Sequence, residues 1–420
     1  MEYRKEIQAK GFSIPDLSFL KDEVCAFFHS NDPKRMSILA FGCSDELSLH
    51  NPVQIEMLDE FIDDRSAWFF GLMAYELGEV FEPSIFNPNL QRNIIPQLYF
   101  FRPNCVVEML GDKAIIHASN EELIGKAEHI VQSEAERKPM ISSDLKFNIS
   151  KSEYLNKVAI IQNNIQYGNI YELNYCLNLE AEFKDDPFQL WQRLNSRTKA
   201  PFSAYFNSPK HTLICGSPER FLSRNGNRIM SQPIKGTRRR GLNPMEDQEL
   251  LQDLLNDPKE LAENIMITDL VRNDFSKSAL PGSVMVDELC KCYSFKTVHQ
   301  MISTISAEVP DGISFGRLIR DTFPMGSMTG APKVRAMQII SEIESVARGW
   351  YSGSCGYIRP GGDFDFNVII RSLIFHKNEY KLSAGVGGAI TALSNPEAEW
   401  EECNVKVQAL IESLRDGIAV

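Results

Sequence analysis

The stretch FDFNVIIRSLIFHKNEYKLSAGVGGAI, residues 364–390, decides the fold class. Its apolar, aromatic and β-branched runs FDFNVII, SLIFH and KLSAGVGGAI are broken only by short polar segments such as HKNEYK. Strands that follow one another so closely are joined by hairpins, because a parallel pair needs a long crossover, usually a helix, between its members. The pattern therefore predicts antiparallel strands and an α+β protein, antiparallel sheets flanked by helices, rather than a doubly wound parallel sheet.

Working outward, helices and strands alternate from residue 146 to the C-terminus without a repeat or a low-complexity tract. SKSEYLNKVAIIQNNIQYGNIYELNYCLNLEAEF (150–183, from Ser150) reads as a helix, a stop at Gly168 and a strand. Before it, the amphipathic helix of NEELIGKAEHIVQ (120–132) runs into a Pro/Ser-rich stretch, which places a boundary between an N-terminal region, 1–145, and a C-terminal region, 146–420. Upstream, AWFFGLMAYELG (67–78) reads as a buried strand or hairpin.

Two predicted helices carry glutamates three apart. Glu260 and Glu263 share a face of the helix opened by Asp257-Pro258, and Glu399 and Glu402 share a face of the helix opened by Asn395-Pro396. Two such faces meeting across a cleft would need a cation, and an all-oxygen set without His or Cys suits Mg²⁺. Two solvated helix faces account for the same pattern. The glycine-rich segments GSMTGAPK (326–333) and AGVGGAI (384–390) read either as anion cradles or as ordinary turns. Neither has the spacing of a P-loop or of G-x-G-x-x-G. In SQPIKGTRRRG (231–241), Pro-Ile-Lys reads as a strand end entering a turn at Gly236-Thr237. Lys235 there is a candidate nucleophile, since desolvation at a pocket mouth lowers a lysine's pKa, or else a snorkelling surface lysine beside a solvated basic turn.

The formal net charge of −12 over 420 residues argues against nucleic acid or an anionic membrane as the main partner. The N-terminal MEYRKEIQAKGFSIPD has no apolar core, and the longest apolar runs are too short to span a bilayer, so a cytoplasmic location is expected. Nine cysteines without C-x-x-C, and seven histidines without ligand spacing, point to reduced thiols and no zinc site.

Taken in order, SPERF (217–221), PIKGT (233–237), ELAENIMITDLVRND (260–274), SMTGAPKVRAM (327–337), RGWYSGSCGY (348–357), VIIRS (368–372), AGVGGAI and NPEAEWEE (395–402) resemble the motif series of the chorismate-utilising enzymes. FFGLMAYELGEVFEP (69–83) is similar to the weaker N-terminal part of that family. The resemblance implies an Mg²⁺ ion held by Glu263 and Glu402 with Glu260 and Glu399 in support. It implies substrate contacts from Gly236, Thr237, Thr329, Gly330, Tyr351, Arg371, Gly385, Gly387 and Lys406, and a chorismate substrate. A dicarboxylate needs such cationic side chains and amide dipoles.

Lysine at position 235 resembles the branch that makes 4-amino-4-deoxychorismate for 4-aminobenzoate and folate; anthranilate synthases have alanine there. The resemblance gives Lys235 the role of a nucleophile at C2 of the ring and Glu219 that of the acid protonating the C4 hydroxyl as it leaves, before ammonia attacks C4. Three positions depart from the family pattern: Glu172 for glutamine, Gln300 (with His299 beside it) for histidine, and Asn395 for aspartate. The sequence has no glutaminase signature, as GSCGY (353–357) lacks the final glycine and a His-x-Glu pair, so ammonia is expected from a separate amidotransferase subunit in a heterodimer. A lyase converting the product onward is expected on another protein, and effector binding is not expected, as the family's leucine-rich effector motif is not evident. The alternatives are anthranilate synthase component I and, outside the enzymes, an inactive subunit that binds chorismate or a glutaminase.

Overall fold

The computed structural model describes residues 1–415 apart from positions 12, 52, 93, 94 and 297. Among these residues the strands form two sheets, one of 12 and one of 10 strands, and every ladder between named strands is antiparallel. Alternation along the strands explains how the sheets stack. In the larger sheet Ala26, Ile38 and Ala40 face inward, where they meet Phe70, Leu72 and Phe101 of the smaller sheet. The intervening Cys25, Phe27, Leu39 and Phe41 face outward, under the apolar stripes of helices Glu121–Gln132, Lys151–Gln166, Pro187–Thr198 and Pro396–Leu414. The outer face of the smaller sheet is covered by helices Pro258–Ser276 and Phe315–Thr322 through Ile267, Val271, Phe275, Leu318 and Ile319. The result is a helix, sheet, sheet, helix sandwich.

Strands from both sides of position 145 share both sheets. Cys25–His29 pairs with Phe202–Asn207 in the larger one, and Phe69–Met73 pairs with Ser354–Ile358 in the smaller. After Met73 the chain turns into short helical segments, Tyr75–Leu77 and Gly78–Phe81, in place of a second hairpin strand.

The stretch 364–390 is antiparallel as its sequence predicts, with one difference. Phe364–Val368 belongs to the 10-stranded sheet, whereas Ser372–His376 and Lys381–Thr391 form a hairpin in the 12-stranded sheet. The chain crosses between sheets at Ile369–Arg371, where Arg371 takes φ 50°, a left-handed conformation uncommon for a residue with a side chain. It crosses the other way at Pro218–Glu219, between His211–Ser217 and Arg220–Asn225. The two crossings are tied by backbone bonds, Val368 N to Glu219 O at 3.1 Å and Gly216 N to Arg371 O at 3.2 Å. Both bring candidate site residues to one place between the layers.

The basic stretch also differs from expectation. Lys235 and the first two arginines continue a strand, Ile234–Arg239, instead of entering a turn. The register slips between Ile234 and Thr237, and Gly236 at φ 84° absorbs the bulge. The arginines are paired: Arg238 with Asp257 and Glu260, Arg239 with Glu246, and Arg240 with Asp247.

Candidate functional site

A cavity of about 500 Å³ opens between the two acidic helices and the sheet crossings. Each helix starts where its sequence says it should. Asp257 accepts from the N–H groups of Lys259 and Glu260, Asn395 from those of Glu397 and Ala398, and a proline follows each cap. Asn395 thus fills the cap at its variant position. One helix packs on the smaller sheet and the other on the larger, so Glu260, Glu263, Glu399 and Glu402 line the cavity from opposite walls.

The carboxylates are bridged by a residue the sequence reading passed over. Lys259 donates to Glu399 Oε1 at 2.8 Å and lies 3.6 Å from Glu263 Oε1. Burial would lower its pKa, but Glu399 and Glu263 hold it above the ordinary lysine value. Among the described residues no three His, Cys, Asp or Glu side chains stand together as a ready metal cage. The donor set nevertheless suits a hard cation. Glu263 Oε1 is buried without a hydrogen-bond partner, burial pushes that carboxyl up to about 7, and the neighbouring donors are all oxygen. Burial pushes Glu402 up, but Lys406, 2.8 Å away, together with Lys259 and Lys235 holds it below the usual carboxylate range.

Lys235 is buried, with Nζ 2.6 Å from Glu172 Oε1 and 3.8 Å from Glu263 Oε2. The expectation that desolvation frees its amine has the wrong sign. Burial does press its pKa down, but Glu172, Glu263 and Glu219 together raise it above the ordinary value, so the resting group is an ammonium. Glu172 begins the Glu172–Glu182 strand and is almost wholly enclosed, its second oxygen unpartnered. Sequence inspection flagged Glu172 as a variant without linking it to Lys235, which is 63 residues away.

Glu219 is buried on the wall beside Lys235 and accepts from Ser327 Oγ at 2.6 Å. Burial raises its pKa to about 7 against the lowering effects of Ser327, Lys235 and Arg371. Arg371 lines the same cavity, and among the described residues its guanidinium has no hydrogen bond to the protein. Lys406 donates to Gly387 O at 2.8 Å. Gly236, Thr237, Tyr351, Gly385 and Gly387 all line the cavity. A Cβ at Gly385 would meet the Tyr351 ring at 2.1 Å, so glycine is what lets the tyrosine lie against the strand.

Thr329 and Gly330 stand outside the lining. Thr329 turns its hydroxyl onto the carbonyls of Met325 and Gly326, and Gly330 pairs with Leu173 in a two-residue strand before the Lys333–Ile343 helix. Ser327 and Met328 present that turn to the cavity instead. Gln300 lines it as well, while His299 points away to Asp247 and Ser294.

A sequence profile of the family described as chorismate binding enzyme matches residues 24–412. Aminodeoxychorismate synthase component 1 of Salmonella typhimurium is 39% identical over 276 residues, 66% of this chain and 60% of that protein. The Escherichia coli protein of the same name is 38% identical over 274 residues, 65% of this chain and 60% of its own length. The chloroplastic aminodeoxychorismate synthase of Arabidopsis thaliana is 43% identical over 266 residues, 62% of this chain and 28% of its own. The chain thus spans about 60% of the bacterial relatives it matches. Among solved structures, anthranilate synthase component I of Streptococcus pneumoniae superposes with a TM-score of 0.79 at 24% identity, covering 90% of this chain and 93% of that one. The Escherichia coli isochorismate synthase MenF gives 0.77 at 16% identity, covering 98% and 94%. At these identities the likeness is one of fold.

Proposed function

As the chain belongs to the chorismate binding enzymes, we propose that it aminates chorismate to 4-amino-4-deoxychorismate, with ammonia supplied by a separate glutaminase subunit. The observation that carries the choice is Lys235, buried in the cavity wall between Glu172 and Glu219. Relatives 38–43% identical to the chain bear the name aminodeoxychorismate synthase.

In this reading Arg371, Lys406 and the amides around Gly385 and Gly387 receive the substrate's two carboxylates. Mg²⁺, when bound, is held by Glu263 and Glu402 with Glu260 and Glu399 behind them, and supplies positive charge for the ring carboxylate. Lys235 passes a proton to Glu172, the acceptor already in contact with it, and its amine attacks C2. Both conjugated ring double bonds shift in turn, the C4–O bond breaks, and the hydroxyl takes the Glu219 proton to leave as water. Ammonia then attacks C4 and the C2–N bond breaks, releasing the Lys235 amine, which takes its proton back from Glu172; a proton from the incoming nitrogen restores Glu219. The balance is chorismate plus ammonia to aminodeoxychorismate plus water. A cytoplasmic location is part of this proposal; no helix among the described residues is long and apolar enough to cross a membrane.

The test is to incubate purified protein with chorismate, Mg²⁺ and ammonium and to resolve the products with and without an aminodeoxychorismate lyase. Formation of 4-aminobenzoate only when the lyase is present supports the proposal. A fluorescent aromatic product with pyruvate release in the absence of lyase identifies an anthranilate synthase instead.

A further inference from the structure

Glu219 has to deliver one proton in one direction, yet a carboxylic acid has two oxygens and a rotatable end. The structure fixes that end through the Gly326–Met328 turn. Ser327 Oγ donates to Glu219 Oε1 at 2.6 Å, and both residues are buried. Two side chains hold the turn from outside, a third holds the segment leading into it, and one backbone bond closes the turn on itself. Asn174 Nδ2 donates to Ser327 O at 2.8 Å, and Arg348 Nη1 donates to Met328 O at 2.7 Å. Lys333 Nζ donates to Pro324 O at 2.9 Å and to Thr322 O at 3.1 Å, and Thr329 N donates to Gly326 O at 3.1 Å. A Cβ at Gly326 would meet Leu270 Cδ2 at 2.3 Å, so the turn also lies hard against the first acidic helix. A hydroxyl held by such a frame points one way.

We propose that Ser327 is a positioning residue for the acid: by donating to Oε1 it locks the Glu219 carboxyl and leaves the transferable proton on Oε2. The inference rests on the reading of Glu219 as the acid in chorismate amination. A donor to Oε1 favours the carboxylate that remains once the proton has gone, so Ser327 both aims the group and eases its ionisation. The charged groups that face Glu219 are Lys235 on the Ile234–Arg239 strand and Arg371 at the Ile369–Arg371 sheet crossing, with the Ile234 amide beside them.

The experiment compares Ser327→Ala and Ser327→Thr with wild type at saturating free ammonia, across pH 5.5 to 9. Losing a hydrogen bond to a charged group lowers kcat in Ser327→Ala by at least ~10-fold and moves the alkaline limb of kcat up by roughly one pH unit, with KM for chorismate unchanged. Ser327→Thr keeps the hydroxyl and stays close to wild type in both. An infrared carboxyl band assigned by subtraction of Glu219→Gln titrates at higher pH in Ser327→Ala, without any turnover being needed. A Ser327→Ala protein with an unmoved limb and an unmoved infrared titration overturns the inference, whatever its kcat, because a merely structural serine changes neither. Wild type that binds but does not aminate chorismate, with the infrared shift still present, sinks the functional reading and leaves the Ser327 contact standing.

Discussion

Glu219→Gln makes the protein less active and more stable, and the pH at which each effect appears follows from one carboxyl. Burial moves the Glu219 pKa from an ordinary 4.5 to about 7 even after Ser327, Lys235 and Arg371 have favoured its charge. Because the folded value lies above the unfolded one, the folded state binds the proton more tightly, and stability falls as pH rises from 4.5 through 7. The full cost, reached above pH 7, is roughly 3 kcal/mol. Glutamine resembles the protonated acid in size and can still accept from Ser327, so the variant escapes that cost. At pH 4.5 the two proteins unfold alike. At pH 8 the variant gains about 3 °C in Tm, given the unfolding entropy of a chain of 420 residues. Over the same range kcat with ammonia drops by ~10²–10⁴-fold, the usual contribution of a general acid. Differential scanning calorimetry at the two pH values, beside the ammonia-driven assay, measures both. Equal Tm values at pH 8 would refute the claim that this carboxyl is held protonated by burial, and a kcat within threefold of wild type would refute its role as acid.

Lys235→Ala abolishes aminodeoxychorismate formation, and Lys235→Arg does as well because a guanidinium is a poor nucleophile; mass spectrometry of an ammonia-free quench finds an adduct on the Lys235 peptide alone. Substantial turnover by Lys235→Arg without such an adduct removes the covalent step. Glu263→Gln and Glu402→Gln each weaken activation by Mg²⁺ in a titration while melting cooperatively, and wild-type titration curves in both would remove the metal assignment. Lys259→Met leaves Glu399 and Glu263 without their bridge, so Tm falls in the absence of metal and Mg²⁺ restores more of it than it adds to wild type; equal metal-induced shifts in the two proteins count against carboxylates that share a cation.

Local signals marked the ends of elements well. Asp257-Pro258 and Asn395-Pro396 start helices because a side-chain acceptor followed by proline satisfies the first amides at the place where proline loses nothing. Gly168 at φ 75° stops a helix for the converse reason. What the local pattern cannot carry is which sheet a strand joins. Phe364–Val368 and Ser372–His376 each carry three apolar residues in five and are separated by only three residues, yet they lie in different layers. Their separation depends on the left-handed turn at Arg371 and on partners some 150 residues earlier in the chain.

The same limit explains why the sign of the Lys235 shift was missed. Read alone, Pro-Ile-Lys-Gly-Thr contains one charge among small and apolar residues, and desolvation is the only effect such a segment can exert on its own amine. The carboxylates that reverse it come from three other places: the start of the Glu172–Glu182 strand, the sheet crossing at Glu219 and the Pro258–Ser276 helix at Glu263. Each of them stands in the sequence as a glutamate, and the family resemblance gives Glu219 and Glu263 other duties. An ammonium enclosed by three carboxylates is an organised ion cluster, and it becomes a nucleophile only when a proton leaves for one of them. Glu172 makes the shortest contact and keeps a second oxygen free, so it is the acceptor at hand. A glutamine there could still accept a hydrogen bond from Lys235 through its amide oxygen but could not take its proton. Glu172→Gln therefore slows adduct formation on Lys235 in a single-turnover quench more than it weakens chorismate binding. Unchanged adduct kinetics in that variant would place the proton acceptor elsewhere in the cluster.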